Sequence, residues 1–163
     1  MNISCSKNSK NCILNHEIVD SKYEVPFYSF QNKLFKEVEK VNHNRYEMVN
    51  VNPNEIDYIM AILSKQIAES KKATDDMKNN LCDYSVQIAG IYDRMTKTKK
   101  IYLNFECGFV DYEYVNADID FDNNEDGASP RFNFVYDGGD CYFQAEINTK
   151  TNKLKILTIN GEA

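Results

Sequence analysis

Tryptophan is absent from this chain of 163 residues, which also has only three prolines and two histidines. The two imidazoles, His16 and His43, have no nucleophile in a suitable sequence context, so a Ser or Cys catalytic relay is not expected. No apolar run approaches the roughly eighteen residues of a membrane span, and the N-terminal region lacks the apolar segment of a signal peptide. The sequence therefore predicts no transmembrane segment.

Signals for binding phosphate or nucleic acid are also missing. The six glycines are scattered, and none takes the spacing of a Gly-rich phosphate loop. The formal net charge of -6 argues against nucleic acid, whose phosphates require clustered Lys and Arg. We therefore expect no cofactor and no nucleic-acid partner.

Metal sites are not indicated either. The five cysteines, at positions 5, 12, 82, 107 and 141, show no C-x-x-C spacing of the kind that zinc ligands take. The acidic residues 118–126 fail as an EF-hand loop, because neither Asp118 nor Asp120 as first ligand puts glycine at the sixth position. We interpret this stretch as a solvated acidic loop, with another weak divalent site as the alternative.

Three cysteines, Cys82, Cys107 and Cys141, fall within strand patterns or at strand ends. Burial as small apolar side chains is the first interpretation, and a Cys107 to Cys141 disulfide in an oxidising compartment is the alternative. Cys5 follows Ile-Ser and precedes a polar tether, as at the end of a bacterial lipoprotein signal. We expect a cell-envelope lipoprotein anchored through Cys5 if a signal precedes this chain, and a cytoplasmic protein otherwise.

Two helical patterns follow a polar start. Residues 1–22 are unpatterned, which predicts a flexible arm before a single domain over residues 23–163. Apolar side chains recur at three- and four-residue steps over residues 27–41, which predicts a short amphipathic helix. A stronger signal begins at Asn52, an N-cap followed by Pro and by Glu three residues on, and continues through about Ser70. Its apolar stripe consists of Ile56, Ile59, Met60, Leu63 and Ile67.

Strand patterns fill most of the remaining chain. Residues 46–51 predict a brief strand, and residues 84–92 and 101–105 predict a hairpin with a basic turn. We interpret that turn as a solvated tip, with a docking point for an acidic partner as the alternative. Its basic residues are Arg94, Lys97, Lys99 and Lys100. An acidic, Asn-rich insertion follows at about residues 108–130.

The C-terminal residues carry the clearest hairpin signal. Residues 131–136 and 141–147 alternate apolar and polar side chains around Asp137-Gly138-Gly139-Asp140, whose glycines permit a tight turn. Residues 154–159 add a third strand to this meander. Helices ahead of antiparallel strands predict an α+β fold. In that fold the N-terminal helices pack on one face of an antiparallel meander sheet of about four to five strands, cystatin-like or NTF2-like.

Several of these segments carry a family resemblance. They are Asn54-Glu55-Ile56 at a helix start, Tyr84 to Gly90 around Gln87, Lys100 to Asn104, Asp137-Gly138-Gly139 before Tyr142-Phe143, and the terminal Asn160 to Ala163. Through them, residues 45–163 resemble a group of small uncharacterised proteins of Bacteroides-type bacteria. The resemblance implies an exported or lipid-anchored protein and supplies no catalytic residue. This chain departs from the group in having acidic residues where a Trp-containing strand is expected.

The absence of a catalytic motif beside many aromatic residues favours a non-enzymatic binding domain for an unknown protein or small ligand. The candidate ligand-binding residues, expected to line one sheet surface or a cavity, are Tyr84, Tyr92, Tyr102 and Tyr142. One alternative is an NTF2-like enzyme whose pocket holds a Tyr and a carboxyl with a pKa raised by burial. Another is an acidic immunity or inhibitor protein that neutralises a basic toxin.

Overall fold

The computed structural model describes residues 14–21, 45–111 and 138–159. Its elements are, in chain order, β1 (Asn15–Ile18), β2 (Tyr46–Val49), α1 (Ile56–Glu69), α2 (Asp75–Asn79), β3 (Tyr84–Asp93), β4 (Thr98–Cys107), β5 (Tyr142–Asn148) and β6 (Lys153–Ile159). The strands form one six-stranded sheet in the order β1-β3-β4-β5-β6, with β2 also paired to β3. The predicted α+β class is confirmed, but the sheet is mixed and not purely antiparallel.

β3 is the strand around which the sheet is arranged. Its ten residues pair with antiparallel β4 along their whole length. On its other edge, β1 pairs in parallel with Ser85–Ile88, and β2 pairs antiparallel with Gly90–Asp93. A Cβ at Gly90 would collide with the carbonyl oxygen of Val49, so glycine permits the close approach of β2.

The pairing of β1 overturns part of the predicted N-terminal arm. Leu14 and Val19, on either side of β1, are buried, and the amide of Val19 donates to the carbonyl of Ile88 at 2.8 Å. Asn15–Ile18 therefore belong to the sheet, with Leu14 and Val19 packed beside them, and the arm predicted for residues 1–22 is wrong for residues 14–19. β1 has only four residues and pairs in parallel with a segment seventy positions away, so the local sequence pattern gives little indication of this strand.

The remaining strands form a meander. β5 pairs with β4 on one edge and with β6 on the other. The first strand of the hairpin predicted between residues 131–136 and 141–147 lies outside the described residues, whereas its second strand is found as β5. Gly138 and Gly139 do take the positive φ values, 128° and 63°, that their turn chemistry predicts. The predicted helix over 27–41 and most of the acidic insertion lie outside the described residues.

α1 follows its sequence signals closely. Asn52 accepts a hydrogen bond from the amide of Asn54 at 2.9 Å, and Glu55 accepts from the amide of Asn52 at 2.8 Å. The helix ends with Ser70 as its C-cap, and the five residues of the predicted stripe are all buried. Within the part of the chain that the structure describes, no helix combines the length and the apolar character needed to cross a membrane.

The main core lies between α1 and one face of the sheet. Phe105 and Phe143 stack with ring centroids 4.1 Å apart, and Tyr84 meets the ring of Phe143 edge-on at 5.4 Å. The other sheet residues of this core are Val86, Ile88, Ile101, Leu103, Ala145, Ile147, Ile156 and Ile159. The space between helix and sheet is thus filled by apolar side chains.

An ion pair between the partly exposed Arg45 and the buried Asp93 holds the turn between β3 and β4. The fully buried carboxylate of Asp93 accepts hydrogen bonds from Arg45 Nε at 3.1 Å and Nη2 at 2.8 Å. It also accepts from the backbone amides of Met95 and Thr96 at 3.0 and 3.4 Å. The bonds from Arg45, opposed in part by burial and helped by those amides, lower the pKa of Asp93 to about 2. The carboxylate therefore joins the turn to the residue that precedes β2.

The low pKa of Asp93 makes part of the stability pH-dependent. Because the folded-state pKa lies below the ordinary value of 3.8, the ionised group stabilises the fold above about pH 4 and loses that contribution as pH falls toward 2. The contribution is about 2 kcal/mol. Urea unfolding of wild type and Asp93→Asn at several pH values should give a difference that is largest at pH 7 and smallest at pH 2. The exposed-site control Glu69→Gln should show little difference at any pH. A difference for Asp93→Asn that is the same at every pH would contradict this account.

Candidate functional site

The four candidate tyrosines do not share one surface. Side chains of a strand alternate between faces, and the β3–β4 register puts Tyr84 and Tyr92 on the α1 side of the sheet. Tyr102 and Tyr142 are on the opposite side. Tyr84 and Tyr102 are buried, whereas Tyr92 and Tyr142 are half-buried. The expectation of a common tyrosine-lined surface is therefore wrong, because the sheet separates the residues in pairs.

Tyr84 is held as a core residue. Its hydroxyl donates to the carbonyl of Asp140 at 2.9 Å. Burial, together with the nearby carboxylates of Asp140 and Asp76, raises its pKa to about 12. A phenol that is so hard to deprotonate is a poor general base near neutral pH. Tyr142 differs in that its hydroxyl donates to a carboxylate oxygen of Glu106 at 3.3 Å.

A row of polar side chains crosses the sheet face turned away from α1. Gln87, Asn104 and Gln144 occupy opposed positions on β3, β4 and β5, and each is at most 5% exposed. Glu17 on β1 and Thr158 on β6 extend the row to both sides. We call these five residues the polar row.

The polar row is a directional chain of hydrogen bonds. Thr158 donates to Gln144 Oε1, and Gln144 donates to Asn104 Oδ1 at 3.1 Å. Asn104 donates to Gln87 Oε1 at 3.3 Å, and Gln87 donates to Glu17 Oε2 at 2.9 Å. Every donor points toward the carboxylate of Glu17, so each bond polarises the next. The row thus links the side chains of five neighbouring strands, β1, β3, β4, β5 and β6.

Sequence reasoning missed the polar row. Each amide interrupts an otherwise apolar strand, and aligning the predicted β3–β4 hairpin residue by residue would have paired Gln87 with Asn104. The assignment of Glu17 needed β1, which the sequence pattern did not reveal.

The basic turn is neutralised by neighbouring carboxylates. Lys99 Nζ lies 2.6 Å from a carboxylate oxygen of Glu55, and Lys100 Nζ lies 3.2 Å from one of Glu146. Arg94 pairs with Glu47 on β2 at 3.0 Å. Three of the four cations at this turn are therefore used within the protein, which weakens the interpretation of the turn as a docking point for an acidic partner.

The opposite end of the sheet is cross-linked. Cys107, the last residue of β4, forms a disulfide with Cys141, which precedes β5, and their Cα atoms are 4.7 Å apart. The alternative that the sequence left open for these two cysteines is thus confirmed. Thr74, the N-cap of α2, donates to the carboxylate of Asp140 at 2.7 Å beside the bridge.

The residues after the disulfide are fixed by β1 and β3. Ser85 Oγ donates to the carbonyl of Gly108 at 2.6 Å and accepts from the amide of Val110 at 2.9 Å. Asn15 Nδ2 contacts both Ser85 Oγ at 2.9 Å and the carbonyl of Val110 at 2.7 Å. Between these two anchored residues, Phe109 is 81% exposed. We call Gly108, Phe109 and Val110 the anchored loop.

The side chains of the anchored loop include no acid, base or nucleophile. In residues 14–21, 45–111 and 138–159, no group of three or more His, Cys, Asp or Glu side chains is arranged to hold a metal ion. Comparisons with protein-family models, curated proteins and solved structures found no match to this chain. Any inference about the function of the anchored loop therefore rests on its geometry alone.

Removing the central amide of the polar row should destabilise the fold. Asn104→Ala leaves the buried Gln87 oxygen and Gln144 amide without their partner in the row, which costs about 2–3 kcal/mol of unfolding free energy. The control Asn79→Ala changes an exposed residue at the end of α2 and should cost less than about 0.5 kcal/mol. Urea unfolding at pH 7 measures both. Equal stability of the two variants would show that the row contributes nothing.

Loss of the disulfide should also lower stability. The bridge joins positions 34 apart, and opening a loop of that size costs about 3–4 kcal/mol in the chain-entropy account. We expect that deficit for the double variant Cys107→Ser, Cys141→Ser in urea unfolding at pH 7 without reductant. An unchanged midpoint would mean that the bridge does not constrain the unfolded chain.

Proposed function

We propose that this chain is a non-enzymatic binding domain of a bacterial protein that folds in an oxidising compartment such as the cell envelope. In this proposal, Phe109 of the anchored loop is the main contact with a protein partner. The main support for this proposal is that Phe109, which is 81% exposed, lies between Gly108 and Val110, whose backbone atoms are hydrogen-bonded to Ser85.

Exposure alone is common for single apolar residues and would carry no argument. The anchored loop differs because its backbone is held before any partner arrives. Binding through a rigid backbone loses little conformational entropy, and large aromatic side chains dominate the energetics of many interfaces. The Cys107–Cys141 bridge lies directly before the loop and further limits its movement.

The disulfides support the proposal that the chain folds in an oxidising compartment. Cys107 and Cys141 are bonded to each other, and Cys82 is also disulfide-bonded. Structural disulfides persist in secreted and envelope proteins, whereas cytosolic thiols are kept reduced. A lipid anchor on Cys5 stays a prediction from the sequence and lies outside the described residues.

The charges in the described part of the chain favour binding over acid–base catalysis. The alternative enzyme requires a carboxyl with a raised pKa, whereas the pKa of Asp93 is lowered by Arg45. Burial pushes the pKa of Glu55 upward, but hydrogen bonds from Lys99 and the Asn52 amide outweigh it, and the net direction is down. Both groups are thus stabilised as carboxylates within structural ion pairs.

A photo-crosslinking residue at position 109 tests the proposal. The chain is produced in the envelope of its native host, and the matched control carries the crosslinker at Met95, which is 73% exposed at the opposite end of the sheet. We expect a discrete protein adduct from position 109 and none from position 95. Equal adducts at both positions, or none at either, would contradict a specific contact.

The partner recovered in this way permits a second measurement. Phe109→Ala should weaken binding of the purified partner at least about tenfold, as truncation of an aromatic anchor does. Met95→Ala should leave the affinity for the partner unchanged. Both variants should have the melting temperature of the wild type, because the two side chains are exposed. Wild-type affinity of Phe109→Ala would remove the proposed contact. A basic enzyme as partner would assign the inhibitor role.

A further inference from the structure

β6 lies at the end of the sheet. It pairs with β5 on one side, and among the residues that the structure describes no strand pairs with its other side. Such an edge presents backbone amides and carbonyls in the arrangement that a further strand requires, so it is a template for pairing with another chain. The environment of these groups therefore decides whether the sheet can be extended.

Gln66 of α1 occupies the first half of this edge. The amide of Leu154 donates to Gln66 Oε1 at 2.8 Å, and Gln66 Nε2 donates to the carbonyl of Asn152 at 2.5 Å. Alternate residues of an antiparallel strand direct their amides and carbonyls to the same side. Gln66 thus accepts and donates where the backbone of a neighbouring strand would do so.

Lys72, which follows α1, covers the second half of the edge. Its Nζ donates to the carbonyls of Ile156 and Leu157 at 3.2 and 3.1 Å. Leu157 is the extra residue of a β-bulge, because it lies between Ile156 and Thr158, which pair with consecutive residues of β5. Bulges and lysines are two means by which natural proteins prevent further pairing at a sheet edge. Both are found here at the same place on β6.

The side chains of β6 add a charge barrier to this arrangement. Lys153 and Lys155 are exposed, and they share one face of the strand because side chains alternate. If β6 paired with a copy of itself, these lysines would come close to those of the other copy. Like charges on paired strands destabilise the pairing.

The strand that fits this edge best is β6 of a second copy of this chain. Two copies of one strand related by a two-fold axis offer each other the same donors and acceptors in antiparallel order. We propose that Gln66 and Lys72 form an autoinhibitory contact that prevents this pairing and keeps the chain monomeric. The inference does not depend on the proposed function of Phe109.

The molar mass of the full chain in solution, measured by light scattering over a wide range of protein concentration, tests the proposal. The double variant Gln66→Met, Lys72→Met keeps unbranched side chains and removes their hydrogen-bonding groups. We expect the wild type to stay at the monomer mass of 18.9 kDa. The variant should approach twice that mass as concentration rises, and more readily at high salt, which screens the lysines of β6. A dimeric wild type, or a variant that is monomeric at every concentration, would overturn the proposal.

The matched control is Ala68→Met, Lys71→Met, which also adds two methionines and removes one cation, at exposed neighbouring positions. This control should stay monomeric. If it dimerised as readily as the double variant, association would be a general effect of exposed methionine, and the proposal would fail.

Hydrogen exchange of the Leu154 amide, measured by NMR, locates the interface. In the double variant this amide has lost Gln66, so it should exchange fast in dilute protein and slowly in concentrated protein, where a second β6 accepts from it. A dimeric variant in which the exchange rate of Leu154 does not change with concentration would place the interface elsewhere and contradict the proposal.

A single variant covers the case in which the double variant yields too little folded protein. Lys72→Met changes an exposed residue and leaves Gln66 in place. It should show a rise in mass with concentration that the wild type lacks, and a constant monomer mass would overturn the proposal.

Discussion

The structure depends on the occupation of both edges of β3. One edge is paired with β4 over ten residues, and the other is shared end to end by parallel β1 and antiparallel β2. β1 gives way to β2 along this edge between Ile88 and Gly90, and a Cβ at Gly90 would collide with the carbonyl oxygen of Val49. Because a shift of one residue would turn every side chain to the other face, this register decides what each face contains.

Two different kinds of stabilisation follow from that register. The α1 side of the sheet collects aromatic and aliphatic side chains in the main core. The other side contains the polar row, whose buried amides would be costly without their mutual hydrogen bonds. Burial of the apolar side chains stabilises the fold without requiring one orientation. The hydrogen bonds of the polar row, in contrast, form in only one alignment of the strands. Because apolar side chains fill the space between sheet and helix, the binding function that we propose is placed at one end of the sheet.

Local signals in the sequence predicted much of the fold. The capping residues around Asn52 and the five-residue stripe of α1 act over a few positions, and so does the alternation in β3 and β4. The N-terminal strand and the partner of β5 depend on pairings between distant segments, which local patterns do not specify. The positive φ values of Gly138 and Gly139 were predicted correctly, because glycine chemistry acts at the single residue.

The candidate site was less predictable than the fold. The four tyrosines were predicted to bind a ligand because they are aromatic and polar, yet the alternation of side chains along the strands divides them between the two faces of the sheet. Phe109 carried no signal in the sequence, because the hydrogen bonds that hold the backbone on either side of it come from Ser85 and Asn15, which are distant in the chain. β1 therefore connects the architecture to the proposed binding loop.

The most direct test of this account is the hydrogen-exchange rate of the backbone amides in β1 and β3, measured by NMR. Pairing on both edges predicts slow exchange throughout β3, with cross-strand contacts between β1 and β3 in a parallel pattern at an offset of seventy positions. Fast exchange on the edge of β3 that faces β1, with no contacts between Asn15–Ile18 and Ser85–Ile88, would contradict the central claim.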